Sequence, residues 1–140
     1  MKRIWLTGAS SGIGAALAEE LLRAGHRLAL SARSSGPLQA FAARYGERVL
    51  VAPGDLTDAD QVRAIGERIE QVWGALDCVI LNAGTCEYVE VRQFEAAMIE
   101  RVMRANLFSA GYCLEAALPL LRRGEGPHLV GVGSSVTFMP

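Results

Sequence analysis

Lysine is almost missing from this chain: Lys2 is the only one in 140 residues. A phosphate-loop nucleotide triphosphatase needs Gly-Lys followed by Ser or Thr in its glycine turn, so that class is excluded. Cysteine is scarce. Cys78, Cys86 and Cys113 are an odd number with no Cys-x-x-Cys pair, so no disulfide framework is expected and a reducing compartment is the default. The two histidines, His26 and His128, lie far apart without metal-ligand spacing, and no metal site is expected. Neither sign of charge is in excess. The net charge of −1 implies no strong attraction to nucleic acid or an anionic membrane. No apolar run approaches the roughly 18 residues of a membrane span, and the run after Met1-Lys2-Arg3 is too short for a signal peptide. A soluble, cytoplasmic protein is expected. Repeats, linkers and low-complexity tracts are absent too. With 51% hydrophobic residues, the chain is long enough for one domain, residues 1–140, with a real core.

What is present is organised around Thr7-Gly8-Ala9-Ser10-Ser11-Gly12-Ile13-Gly14. An apolar strand, residues 3–7, leads into it, and a helical pattern over 12–24 leads out, with Ile13, Leu17, Leu21 and Ala24 on one stripe. Strand, glycine turn and helix together make a phosphate cradle, because glycines let the backbone approach a ligand and the helix start presents free N–H groups. The pattern then alternates. Strands are expected at 27–31, 48–52, 77–81 and 128–133. A short helix runs from Ser35 to about Arg44. Another is capped by Thr57 with Asp60 three residues on, carries Val62, Ile65, Ile69 and Val72 on one face, and closes at Gly74. A long helical pattern from about 94 to 123 has the stripe Leu107, Gly111, Leu114, Leu118 and Leu121.

Nearly unbroken apolar strands alternating with helices imply a parallel sheet covered on both faces. Right-handed crossovers favour a doubly wound α/β sheet, a Rossmann fold, in the order 3-2-1-4-5. Ligands bind such sheets at the carboxyl ends of the strands. Those ends carry the glycine turn, then Ser31-Ala32-Arg33-Ser34, Asp55-Leu56-Thr57, Asn82-Ala83-Gly84, and Ser134 with Ser135. Small, polar or glycine residues at all of them together are far more specific than any one alone.

Thr7–Gly14 resembles the T-G-x-x-x-G-x-G motif of the short-chain dehydrogenase/reductase family, and Asn82-Ala83-Gly84 resembles its N-N-A-G, with Leu81 in place of the first Asn. The resemblance runs the length of the chain. It implies a nicotinamide dinucleotide held by Gly8, Ser10, Ser11, Gly12, Ile13 and Gly14, by Arg33 and Ser34, by Asp55 and Leu56, and by Asn82, Ala83 and Gly84. Asp55 falls where the family contacts adenine, although an Asp there also serves simply to cap a turn. Asn106 falls on the family's helix-borne catalytic Asn, which holds a water on the proton path. Ser134 falls on the catalytic Ser, with Ser135 as the reserve. At the end of strand two, an acidic residue would bind the ribose 2′-hydroxyl and select NAD. Ala32 holds that place, followed by Arg33, whose guanidinium suits a 2′-phosphate. NADP is therefore expected over NAD.

The family's Tyr-x-x-x-Lys, whose Tyr is the acid/base, does not occur in these residues: none of Tyr45, Tyr88 and Tyr112 has Lys four residues later. The expectation is the N-terminal portion of an NADP(H)-dependent oxidoreductase acting on a small carbonyl or alcohol substrate, inactive as this chain alone. A homo-oligomer through the helix at about 94–123 is what the resemblance implies. A non-catalytic NADP(H)-binding module or degenerate remnant, pairing with a partner through an open edge at strand five, is the alternative. An extended-type nucleotide-sugar epimerase fits the glycine spacing less well.

Overall fold

The computed structural model describes residues 1–134. Five parallel strands form one sheet in the order β3-β2-β1-β4-β5. They are β1 (Arg3–Thr7), β2 (Arg27–Ser31), β3 (Val49–Val51), β4 (Cys78–Leu81) and β5 (His128–Gly131). Helices α1 (Gly12–Arg23), α2 (Ser35–Tyr45), α3 (Ala59–Trp73), α4 (Ala96–Met103) and α5 (Ser109–Leu121) connect them, with a π turn at Arg104–Phe108 between the last two. The expected sheet order holds. The strands are in register as well: Val51, Leu30, Leu6, Ile80 and Val130 form one row across the sheet. The strands therefore end together, and their carboxyl ends share one rim.

Alternation along the strands builds two cores. Trp5, Ala29, Leu50 and Val79 face α3 and α5, meeting Val62, Ile65, Ile69, Cys113 and Ala117. Ile4, Leu6, Leu28, Leu30 and Ile80 face the other way, onto Ala18 and Leu22 of α1 and Leu38 of α2. Trp5 is fully buried, and its indole N–H donates to Ser31 Oγ at 2.9 Å. Burial pushes the Cys113 thiol up to about 12, so it is an inert core group. β5 differs: all four of its residues are exposed.

Three helix expectations are corrected. In α1 the buried line is Gly14, Ala18 and Leu22, one position on from the expected stripe, and Ile13 is exposed. Two of the three are small, and Gly14 lies close against the end of β1. In α3 the cap is Asp58, not Thr57: the Asp58 carboxylate accepts from the N–H groups of Asp60 and Gln61. Thr57 instead donates to Asp55. Val62, Ile65 and Ile69 are buried as expected, but Val72 is exposed. The long helix is two helices around a π turn. Its buried stripe is Ser109, Cys113, Ala117, Leu120 and Leu121, so only Leu121 of the expected set belongs to it. Leu107 and Leu118 are exposed.

Candidate functional site

The carboxyl ends of β1, β2, β3 and β4 open into one cleft of about 820 Å³. Strand order reverses beside β1, so the crossovers leave in opposite directions there and open a crevice. Gly8, Ser10, Ser11, Ile13, Arg33, Asp55, Leu56, Asn82, Ala83 and Gly84 of the expected residues line it. Gly12, Gly14, Ser34 and Asn106 do not, but each lies beside a residue that does. Ser134 is exposed, three residues past the end of β5, and Ser135 lies outside the described residues.

The glycine turn is shaped by close packing. A Cβ on Gly14 would stand 1.9 Å from the Gly8 carbonyl oxygen and 2.6 Å from Asn82 Nδ2. Only glycine lets α1 begin this close to the end of β1. Gly12 has open space where its Cβ would be, but its φ is +55°, so backbone conformation selects glycine there. Ser11 stands at the N-cap of α1, yet its side chain makes no capping bond, and the first turn carries no acidic residue. The N–H groups of that turn and the positive helix end are left for an anion. This donor set fits a pyrophosphate.

Thr7, buried at the end of β1, joins the turn to β4. Its hydroxyl accepts from the Asn82 and Ala83 N–H groups at 3.0 and 3.1 Å. Asn82 Nδ2 donates to the Gly8 carbonyl at 3.2 Å. Leu81, which replaces the family's Asn, packs against the first core instead.

After β2, Ala32 is buried and Arg33 is exposed. The Arg33 guanidinium makes no hydrogen bond or ion pair among the described residues. It lines both the main cleft and an adjoining recess of about 400 Å³, which it shares with Ser35, Gly54, Asp55 and Gln61. Asp55 Oδ1 accepts from the Thr57 hydroxyl at 2.7 Å and the Thr57 N–H at 2.9 Å. These bonds, with Arg33 nearby, hold its carboxyl below the usual range, against the opposing effect of burial. One carboxylate oxygen thus fixes the turn, as the simpler reading of Asp55 had it, while the residue also lines the cleft.

Asn106 sits in the π turn with both side-chain groups committed. Its Nδ2 donates to the Thr85 carbonyl at 2.8 Å, and its Oδ1 accepts from the Thr85 N–H at 2.7 Å. Gly84 leaves room for it, since a Cβ there would come within 2.7 Å of Oδ1. The side chain pins the loop after β4. A second pin is the Glu87–Arg101 pair, two bonds at 2.9 and 3.2 Å, which holds the Glu87 carboxyl below its ordinary value. Glu87, Arg101 and Arg104 all line the cleft and were not singled out from sequence. The only signal was two arginines three apart on a helix, which places them on one face without saying what that face meets.

A doubly wound parallel sheet with an uncapped glycine turn at its switch point defines a Rossmann-type domain. The short chain dehydrogenase profile matches residues 2–140, and the chain belongs to that family. L-rhamnose 1-dehydrogenase (NAD(P)(+)) of Sphingomonas sp. strain SKA58 is 30% identical over 138 residues, covering 95% of this chain and 54% of that protein. Oxidoreductase BOA17 of Botryotinia fuckeliana is 33% identical over 136 residues, covering 96% and 50%. The chain thus spans about half the length of the curated relatives it matches. Among solved structures, the alcohol dehydrogenase from the archaeon Thermococcus sibiricus, complexed with 5-hydroxy-NADP, aligns with TM-score 0.91 at 30% identity, covering all of this chain and 61% of that one. The KRED1-Pglu enzyme aligns with TM-score 0.91 at 30% identity, covering 100% and 59%. Among the described residues no helix is long and apolar enough to cross a membrane.

Proposed function

We propose that the chain forms the cofactor-binding part of an NADP(H)-dependent oxidoreductase that interconverts a small carbonyl compound and its alcohol. The observation that carries the cofactor choice is the unpaired Arg33 guanidinium at the end of β2, with buried Ala32 where a NAD-selecting acid would stand. A guanidinium binds a 2′-phosphate through two parallel hydrogen bonds, whereas a carboxylate there repels it. The solved relative with 5-hydroxy-NADP supports the same choice. The first turn of α1 holds the pyrophosphate, and Asp55 with the backbone beside Leu56 meets the adenine. When bound, the nicotinamide supplies or accepts a hydride.

Ser134 orients and polarises the substrate oxygen in this reading. Asn106 keeps Thr85 and the cleft wall in place and, as the family resemblance implies, holds a water on the proton path. No Tyr-x-x-x-Lys stands in the 140 residues, so this chain by itself is expected to bind cofactor without turnover. Exposed Ile99, Met103 and Leu107 on α4 and the π turn support pairing with a second copy.

The test is the dissociation constant of each reduced cofactor. NADPH is expected to bind at least about tenfold more tightly than NADH, and Arg33→Asp to reverse the order. Equal affinities in the parent, left unchanged by the substitution, refute the role of Arg33.

A further inference from the structure

Past β3 the chain stays bonded to the β2 side through two amides. Ala52 N–H donates to the Leu30 carbonyl at 2.9 Å, and Gly54 N–H donates to the Ala32 carbonyl at 3.1 Å. The Asp55 N–H is the next amide along and needs an acceptor of its own. The side chain of Gln61 supplies it: Oε1 accepts from the Asp55 N–H at 2.7 Å. The Gln61 amide nitrogen donates in turn to Asp58 Oδ2 at 3.2 Å. A donor on one side and a carboxylate on the other leave one orientation for that side-chain amide.

The start of α3 explains why Gln61 reaches so far back. It is the third residue of the helix, after the Asp58 cap. From that place a Gln ordinarily accepts from the cap residue's own N–H. Here that N–H is already taken, because it donates to the Asp55 carbonyl at 3.1 Å. The Gln61 oxygen passes over the cap and meets Asp55 instead. Asp55 is therefore held at three points: its N–H by Gln61, its carbonyl by the Asp58 N–H, and its Oδ1 by Thr57. Its Oδ2 makes no hydrogen bond among the described residues. Gln61 lines the recess shared by Arg33 and Asp55 but not the main cleft, and both of its side-chain polar groups are committed. Its effect on a ligand in the cleft thus passes through Asp55.

We infer that Gln61 is a positioning residue for the adenine contact. By clamping the Asp55 backbone, it holds the free Oδ2 where the amine of the base donates to it, and so makes the site select adenine over a 6-oxopurine. This deepens the cofactor reading given above and rests on it. A hydrogen bond to a carboxylate depends on direction as well as charge, so a turn freed at one of three points loses selectivity before it loses structure.

Calorimetric titration of the protein with NADPH and with its hypoxanthine counterpart, in which an oxo group replaces the amine, tests it. The parent is expected to bind NADPH about tenfold more tightly than the counterpart. Gln61→Met, close in size and helix propensity at an exposed position, removes the clamp and leaves a folded protein, as circular dichroism checks. It is expected to cut that preference to less than about threefold, with the affinity for the hypoxanthine dinucleotide changed by less than about twofold. Exchange of the Asp55 amide hydrogen should speed by at least about tenfold, while that of Gly54 stays as it was. An undiminished preference in Gln61→Met, equal weakening of the two dinucleotides, or unchanged exchange at Asp55 overturns the inference and leaves the cofactor reading standing. A parent that binds both dinucleotides equally, or neither, overturns the adenine contact in the cofactor reading, and the inference with it.

Discussion

Gly14→Ala is the perturbation through which fold and site are tested together. The new methyl carbon would lie 1.9 Å from the Gly8 carbonyl oxygen, 2.7 Å from the Gly8 carbonyl carbon and 2.6 Å from Asn82 Nδ2. Two of these atoms are backbone, so no flexible side chain absorbs the overlap. To restore an ordinary carbon–oxygen contact, α1 must back away from β1 by about 1.5 Å, and overpacking of this kind costs about 1–3 kcal/mol. The upper end applies because the helix is held by buried Ala18 and Leu22. Alanine returns about 1 kcal/mol of helix propensity, leaving a net destabilisation of about 2 kcal/mol. The retreat also strains the Asn82–Gly8 hydrogen bond and moves the N–H groups that face the cleft. Urea denaturation gives the stability, and NADPH titration gives the site. Gly111→Ala is the control. It too is a helical glycine, but its Cβ would meet nothing within 4 Å, so a gain of about 0.5–1 kcal/mol is expected. A Gly14→Ala protein as stable as Gly111→Ala, with unchanged NADPH affinity, refutes this account of the turn.

The remaining predictions concern single contacts. Asp58→Ala is expected to cost about 1 kcal/mol in urea unfolding through loss of the α3 cap, and an unchanged midpoint would return the cap to Thr57. Asp77 accepts from the Arg3 backbone N–H, Nε and Nη2, and from the Glu125 N–H, at 2.8–3.0 Å. The Arg3 guanidinium holds its carboxyl well below the usual range. Because the folded value is depressed, its stabilisation is complete above about pH 4 and is lost as pH falls below that. Asp77→Asn should flatten that acid limb of the stability curve, and a limb of undiminished slope would count against it. Asn106→Ala releases both backbone groups of Thr85 and should speed exchange of the Thr85 amide hydrogen by at least about tenfold, while exchange in β1 stays slow.

The identity and order of the elements were legible in the sequence, because each strand is an apolar run bounded by turn residues and each helix repeats near 3.6. The glycine turn was legible for the same local reason: Gly8, Gly12 and Gly14 are a short-range pattern. Helix phase was not. Ile13, Leu107 and Leu118 are as apolar as any core residue but face outward, while Gly14, Ala18 and Ala117 are too small to mark a face and are buried. The cap of α3 was one residue off because Thr57 and Asp58 are both good caps, and only the Asp55 hydrogen bonds divide their tasks.

The sequence by itself determined the sheet order and the glycine turn at the end of β1, since periodicity, crossover handedness and glycine spacing are properties of the chain read locally. Only the tertiary structure decided that Thr7 ties β1 to β4, that Asn106 pins Thr85, and that Arg101 and Arg104 share a cleft with Arg33. Those contacts join residues far apart in the chain, and a π turn sets the phase of the helix that carries three of them. Separation along a sequence does not encode distance across a sheet, so they exist only once the strands have paired.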